Sequence, residues 1–77
     1  MTIKELDQIV LTVDLPEHGL LAGDIGTVVL RHDEEGMEVE FIALDGETLA
    51  VVTLLATQVR AIGRREIAQA RNLEATI

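Results

Sequence analysis

The chain has no cysteine, tryptophan or tyrosine, and only one proline and one phenylalanine among its 77 residues. Without cysteine, no disulfide or zinc–thiolate centre can reinforce a small fold. Phe41 is the only aromatic, so there is no aromatic platform, and the core must be built from Val, Leu, Ile and Ala with Phe41 as its largest member. Long apolar runs are also missing: residues 49–55 fall far short of the roughly 20 needed to span a bilayer. The opening Met1-Thr2-Ile3-Lys4-Glu5-Leu6 does not show the basic-then-apolar pattern of a secretory signal. These absences lead to the expectation of a soluble, cytoplasmic protein with no membrane contact.

Basic residues are scarce and unevenly placed. The formal net charge is −8. Residues 1–58 carry twelve carboxylates against Lys4 and Arg31, whereas residues 59–77 carry Arg60, Arg64, Arg65 and Arg71 against Glu66 and Glu74. An acidic body repels phosphate backbones and disfavours nonspecific nucleic-acid binding. The basic tail is suited to the acidic body of another copy or to an acidic partner, unless it is simply solvated.

What is present is aliphatic and β-branched. Hydrophobic residues make up 48% of the chain, enough for one small domain that buries about 60–65% of its unfolded surface. Residues 9–13 alternate as a first strand, with Ile9, Leu11 and Val13 on one face. Residues 15–23 read as an ordered loop. Pro16 pushes Leu15 toward an extended conformation, Gly19 and Gly23 supply positive φ, and Leu20 or Leu21 folds back on the core. Residues 26–31 form a second strand, in which Gly26 marks a bulge or a close backbone approach. His32-Asp33-Glu34-Glu35-Gly36 is a hairpin turn. Residues 37–42 alternate cleanly, with Met37, Val39 and Phe41 inward and Glu38 and Glu40 outward. Asp45-Gly46 makes a second hairpin turn. Residues 47–55 form a fourth strand, apolar on both faces around residues 49–52, which predicts a central or doubly covered position. A helical turn at Ala56-Thr57 precedes a short fifth strand at residues 58–62. After Gly63, the spacing of Ile67, Ala70, Leu73 and Ile77 gives a weak amphipathic stripe, consistent with a short helix or a frayed tail.

Five short strands with one long ordered loop and two tight hairpins predict an all-β chain, a small five-stranded SH3-like barrel over residues 1–63. Residues 64–77 then form a C-terminal tail, helical or frayed. An OB-type barrel needs a helix where Asp45-Gly46 leaves no room for one.

The run Leu15-Pro16-Glu17-His18-Gly19-Leu20, followed by Gly23-Asp24-Ile25-Gly26-Thr27-Val28-Val29, carries a resemblance. With Glu38-Val39-Glu40-Phe41, the Asp45-Gly46 turn and the apolar strand after it, the chain resembles a family of small, largely bacterial proteins classed as a domain of unknown function. The resemblance covers roughly residues 8–62. It implies an SH3-like barrel and no assigned activity. A looser similarity is to the KOW-type motif, in which Gly-Asp-x-Gly-Thr-Val also opens a strand. KOW modules bind RNA or proteins, but this chain lacks their basic residues and aromatic platform.

Candidate chemistry is sparse. Glu17 and His18 beside Asp24 are suited to a tuned base or a metal, or else His18 pins the loop by a hydrogen bond while the acids stay solvated. His32 with Asp33, Glu34 and Glu35 lacks the spacing of a calcium loop. Glu38 and Glu40 line one outer strand face, either as an acidic recognition stripe or as an ordinary polar face. No Ser/His/Asp order, phosphate-binding glycine loop or metal-ligand repeat occurs.

The expectation is therefore a non-enzymatic protein with no cofactor, metal site or catalytic residue. It is read as an interaction module, antitoxin-like or regulatory, that binds a basic protein partner through Glu17, His18, Asp24, Glu38 and Glu40. The alternative is a KOW-like nucleic-acid-binding module. Self-association through the tail is a further expectation, since Leu73 and Ile77 would otherwise expose apolar surface.

Overall fold

A computed structural model of the protein describes residues 3–73. Five antiparallel strands form one sheet: β1 (Gln8–Leu11), β2 (Ile25–Arg31), β3 (Gly36–Ile42), β4 (Thr48–Leu55) and β5 (Val59–Ala61). They lie in the order β4-β3-β2-β1-β5. The only helical elements among the described residues are two 3-10 turns, Pro16–His18 and Ala56–Gln58. The all-β expectation holds, and each predicted strand is present with its bounds shifted by a residue or two.

Chain connectivity forces the sheet to curl. β4 and β5 occupy opposite edges, about 19 Å apart if the sheet were flat. Only Ala56–Gln58 joins them, and three residues reach at most about 15 Å. The sheet must wrap until its edges approach. The junction is fixed locally: the Leu55 amide donates to Gln58 Oε1 at 2.8 Å, and the Ala56 amide donates to the Glu35 carbonyl at 2.7 Å.

The concave face encloses the core. Ile9, Leu11, Leu20, Val28, Met37, Val39, Phe41, Val52, Leu54 and Val59 pack into one cluster. The period-2 alternation read from residues 37–42 is what delivers Met37, Val39 and Phe41 to it. No polar or charged side chain is buried among the described residues, so cohesion comes from aliphatic burial.

Gly26 fits the largest core member. It pairs with Ile9 in the β1–β2 register. A Cβ added there would lie 2.5 Å from Val39 Cγ1 and 2.9 Å from Phe41 Cε2. The glycine is required by space, since the one aromatic ring occupies the volume a side chain would fill. The sequence suggested a bulge or a close backbone approach here; the approaching atoms are side-chain ones, and the β2–β3 irregularity lies between Val28 and Leu30.

Two expectations are corrected. β4 is an edge strand, neither central nor doubly covered. Its inner residues Ala50, Val52 and Leu54 face β3 partners Phe41, Val39 and Met37, but Leu49 and Val51 are 40% and 54% exposed. A register shift between Phe41 and Ile42 places Thr48 beside Glu40 on the outer face. Apolar content on both faces did not mean cover on both faces, because much of any protein surface is apolar. Residues 64–73 also contain no helix, and Glu66 and Arg71 tie them to β5 and the first loop. Residues 74–77, with Ile77 of the expected stripe, lie outside the described residues.

The Gly26 fit makes a prediction. Gly26→Ala should lower stability by about 1–3 kcal/mol through overpacking. Gly36→Ala, where the nearest atom to an added Cβ is 3.8 Å away, should change it by less than about 0.5 kcal/mol. Urea unfolding of the two variants beside the parent chain checks the contrast.

Candidate functional site

The loop between β1 and β2 is built by backbone hydrogen bonds and two left-handed glycines. Leu15 and Leu20 form an isolated antiparallel bridge. The His18 amide donates to the Leu15 carbonyl, and the Gly19 amide to the Pro16 carbonyl, both at 3.0 Å. Gly19 and Gly23 have φ of 69° and 100°, values that glycine adopts without steric cost. Leu20 is buried and Leu21 is exposed, so one of the pair folds back as expected. The Gly23 amide then donates to the Leu11 carbonyl at 2.7 Å, and the Leu11 amide to the Asp24 carbonyl at 2.8 Å, locking the loop's exit onto β1.

Asp24 holds this loop; His18 does not. The Leu21 amide donates to Asp24 Oδ2 at 2.9 Å. Glu17 and His18 lie exposed on the Pro16–His18 turn. Among the described residues, neither makes a side-chain hydrogen bond or ion pair. The three residues grouped from the sequence form no metal-holding cluster, and the pinning contact expected of His18 is made by Asp24.

Asp24 instead meets the C-terminal tail. Arg71 Nε donates to Asp24 Oδ1 at 2.8 Å, and Arg71 Nη2 to Oδ2 at 2.7 Å. Arg71 Nη2 also donates to the Gly19 carbonyl at 3.0 Å. This is a two-point guanidinium–carboxylate pair with an added backbone acceptor, geometry that favours arginine over lysine. Partial burial opposes ionisation of Asp24. The Arg71 hydrogen bonds, the Leu21 amide and the Arg71 charge outweigh it and hold the carboxyl below its usual range.

A second tie secures the start of the tail. Arg60 Nη1 and Nη2 donate to Glu66 Oε2 and Oε1, each at 2.8 Å. The Gly63 amide donates to Glu66 Oε2 at 2.7 Å. The Arg60 hydrogen bonds and the Gly63 amide pull the Glu66 carboxyl down to about 2. The basic tail does meet an acidic body, as its charge implied, but that body is its own.

The tail borders two grooves. One, of about 350 Å³, is walled on the sheet side by Leu20, Ile25, Phe41, Ile42 and Leu49 and on the tail side by residues 68–71 and Leu73. The other, of about 450 Å³, lies between Val10 and the stretch from Glu66 to Arg71. Ala68 and Ala70 line both.

Glu38 and Glu40 stand on the outer face of β3, apart from this end. Glu38 Oε2 accepts from Thr53 Oγ1 at 2.8 Å and lies 2.7 Å from His32 Nε2. The His32 hydrogen bond, with that of Thr53, lowers the Glu38 carboxyl. Glu40 Oε2 accepts from Thr48 Oγ1 at 2.7 Å. Both acids are engaged by neighbouring strands. Among the described residues, no three His, Asp or Glu side chains are grouped so as to hold a metal ion.

Reading the sequence missed Arg71. The excess of arginine after residue 58 signalled that the tail seeks carboxylates, but no local pattern identifies the partner of a residue 47 positions away.

Fold and site together define a small all-β domain whose first loop holds Arg71 of its own C-terminal segment. The profile of DUF4926, a domain of unknown function, matches residues 5–61, and the chain belongs to that family. No curated protein and no solved structure matches it. Among the described residues, no helix is long and apolar enough to cross a membrane.

The two carboxylates that tie the tail have lowered pKa values. Docking is therefore at full strength above their free values, about 3.9 for Asp and 4.3 for Glu, and is lost as pH falls through the docked ones. The Arg71 Nε–H resonance should hold its docked shift from about pH 7 to about pH 5 and move toward the free value only below about pH 4. A transition between about pH 5 and 7 would contradict this assignment.

Proposed function

We propose that this domain is a non-catalytic interaction module, an SH3-like barrel whose Gly19–Asp24 end receives a basic, extended segment of a protein partner. The observation that carries this reading is the seat of Arg71. An irregular segment lies against the sheet with its guanidinium held by both oxygens of a half-buried carboxylate and by a backbone carbonyl. The same contacts would serve a segment from another chain. The curled sheet with its long first loop supports the SH3-like description, since such a loop leaves a groove beside it.

Charge supports the partner class. An acidic body draws basic segments by long-range attraction and sets their approach rate more than their final affinity. The same charge works against phosphate backbones. A soluble antitoxin or a regulatory subunit of the cytoplasm fits this format.

The test is selection from a fluorescent peptide library carrying one fixed arginine among randomised neighbours. Peptides with aliphatic residues near the arginine should be enriched, and Asp24→Asn should reduce their binding by about tenfold or more, since charge-assisted pairs of this kind contribute about 1.5–3 kcal/mol. The carboxamide oxygen of that variant can still accept from the Leu21 amide, which keeps the loop. No enrichment over scrambled peptides, on the parent chain and on an Arg71→Ala chain alike, would end the proposal.

A further inference from the structure

We infer that the C-terminal tail is a built-in competitor for this groove: a hinged strap, latched by Arg71 on Asp24, that a partner segment must displace. The inference rests on the interaction-module reading and adds its regulation and the partner's chemistry. The partner it fits is an extended segment with an arginine for Asp24 and larger aliphatic side chains where the tail has Ala68 and Ala70.

Four observations carry it. First, the receptor and the strap differ in kind. Gly19 and Asp24 sit in the loop that opens β2, inside the matched span of residues 5–61, whereas Arg71 lies outside it. Second, the two ties of the strap differ in position. The Arg60–Glu66 pair and the Gly63 amide fix the strap's first turn beside β5. Release of Arg71 would leave the strap hinged near its groove. A tethered ligand of this kind acts at an effective concentration near the millimolar range, so it suppresses weak ligands and yields to stronger ones.

Third, the strap leaves its larger apolar side chains little covered. It has no helix or strand to lose, Ile67 is 94% exposed and Leu73 is 45% exposed. Fourth, it underfills its seat. Ala68 and Ala70 border a groove of about 350 Å³ whose lining includes Ile42, Leu44 and Leu49, which remain 46%, 94% and 40% exposed. Two methyl side chains leave apolar wall uncovered that a Leu or Ile would bury, and each additional buried methylene strengthens binding. A partner that keeps the arginine and enlarges these positions binds better than the strap does.

The experiment measures fluorescence anisotropy of a labelled peptide with the sequence of residues 64–73, added to the full-length chain and its variants. Arg71→Ala in the chain should tighten peptide binding by about tenfold or more, because the tethered competitor has lost its latch. Arg71→Lys should fall between, since lysine keeps the charge and loses the fork. Ala70→Leu in the peptide should tighten binding further, and Arg71→Ala in the peptide should abolish it. Unchanged slow hydrogen exchange in β1, β2 and β3 establishes that the variants keep the fold. Equal affinity of parent and Arg71→Ala chains would overturn the strap. So would binding that Asp24→Asn does not weaken. Library-selected peptides that bind both chains equally would leave the interaction module standing and remove only the competitor. Failure of every peptide on both chains would remove both readings.

Discussion

Phe41 against Gly26 is the contact around which the rest of the chain is arranged. A domain of this size with one aromatic has one bulky group with which to fill its centre. That group must lie where a neighbouring strand offers no side chain. Gly26 provides the place, in the strand opposite and in register with Ile9. The same three-residue stretch then performs a second task. Asp24 turns outward to hold the Leu21 amide and the Arg71 guanidinium, while Gly26 turns inward to receive the ring. The loop's external receptor thus lies two residues from the glycine that receives the ring. A receptor mounted this way holds its geometry without a buried polar network, which the described residues do not contain.

The acidity of the chain has a local explanation as well as a long-range one. Every aspartate accepts a hydrogen bond from a backbone amide. Asp7 takes Lys4, Asp14 takes Ala22, Asp24 takes Leu21, Asp33 takes Glu35 and Gly36, and Asp45 takes Glu47. All but the Asp14 bond, which spans eight positions, are the short-range side-chain bonds that make aspartate a turn residue. Several glutamates also have structural roles: Glu5 receives the Arg31 amide, and Glu66 that of Gly63. A sequence with many short strands needs many turns, and here aspartate supplies much of the turn chemistry. Net charge read as a partner signal therefore overstates the part of it that is free to choose a partner. Asp24 is unusual in doing both, since it forms its turn with one backbone donor and still presents both oxygens to an arginine.

What was legible from the sequence follows from the range of the interactions. The alternation of Met37, Val39 and Phe41, the turns at Asp33 and Asp45, and the positive φ at Gly19 and Gly23 depend on residues within a few positions of one another. Each left a local mark. The position of β4 did not, because an apolar run reports the preference of a strand and not the number of its neighbours. The outer row of Leu49, Val51 and Leu55 reads like core until the strand order places it at an edge. His18 drew attention because histidine is chemically versatile, yet the loop is held by backbone bonds and by a carboxylate further along. Arg71 was invisible for the opposite reason: its contact joins the tail to a loop far behind it, and only the curled sheet brings the two ends together.

Core and strap also differ in what holds them, and this makes their separation physically reasonable. The core is aliphatic burial with no charged member, so its cohesion is nearly indifferent to salt and to the protonation of surface acids. The strap depends on two guanidinium–carboxylate pairs near the surface, one half-buried and one more exposed, where added ions screen attraction over about 8 Å at physiological ionic strength. Conditions that loosen the second therefore leave the first intact. A module regulated by its own tail needs this division. If the strap were sewn into the core by large apolar side chains, releasing it would cost the fold. With Ile67 and Leu73 left largely exposed and Arg71 as its latch, the proposed strap would exchange with a competing segment while Phe41 stays seated on Gly26.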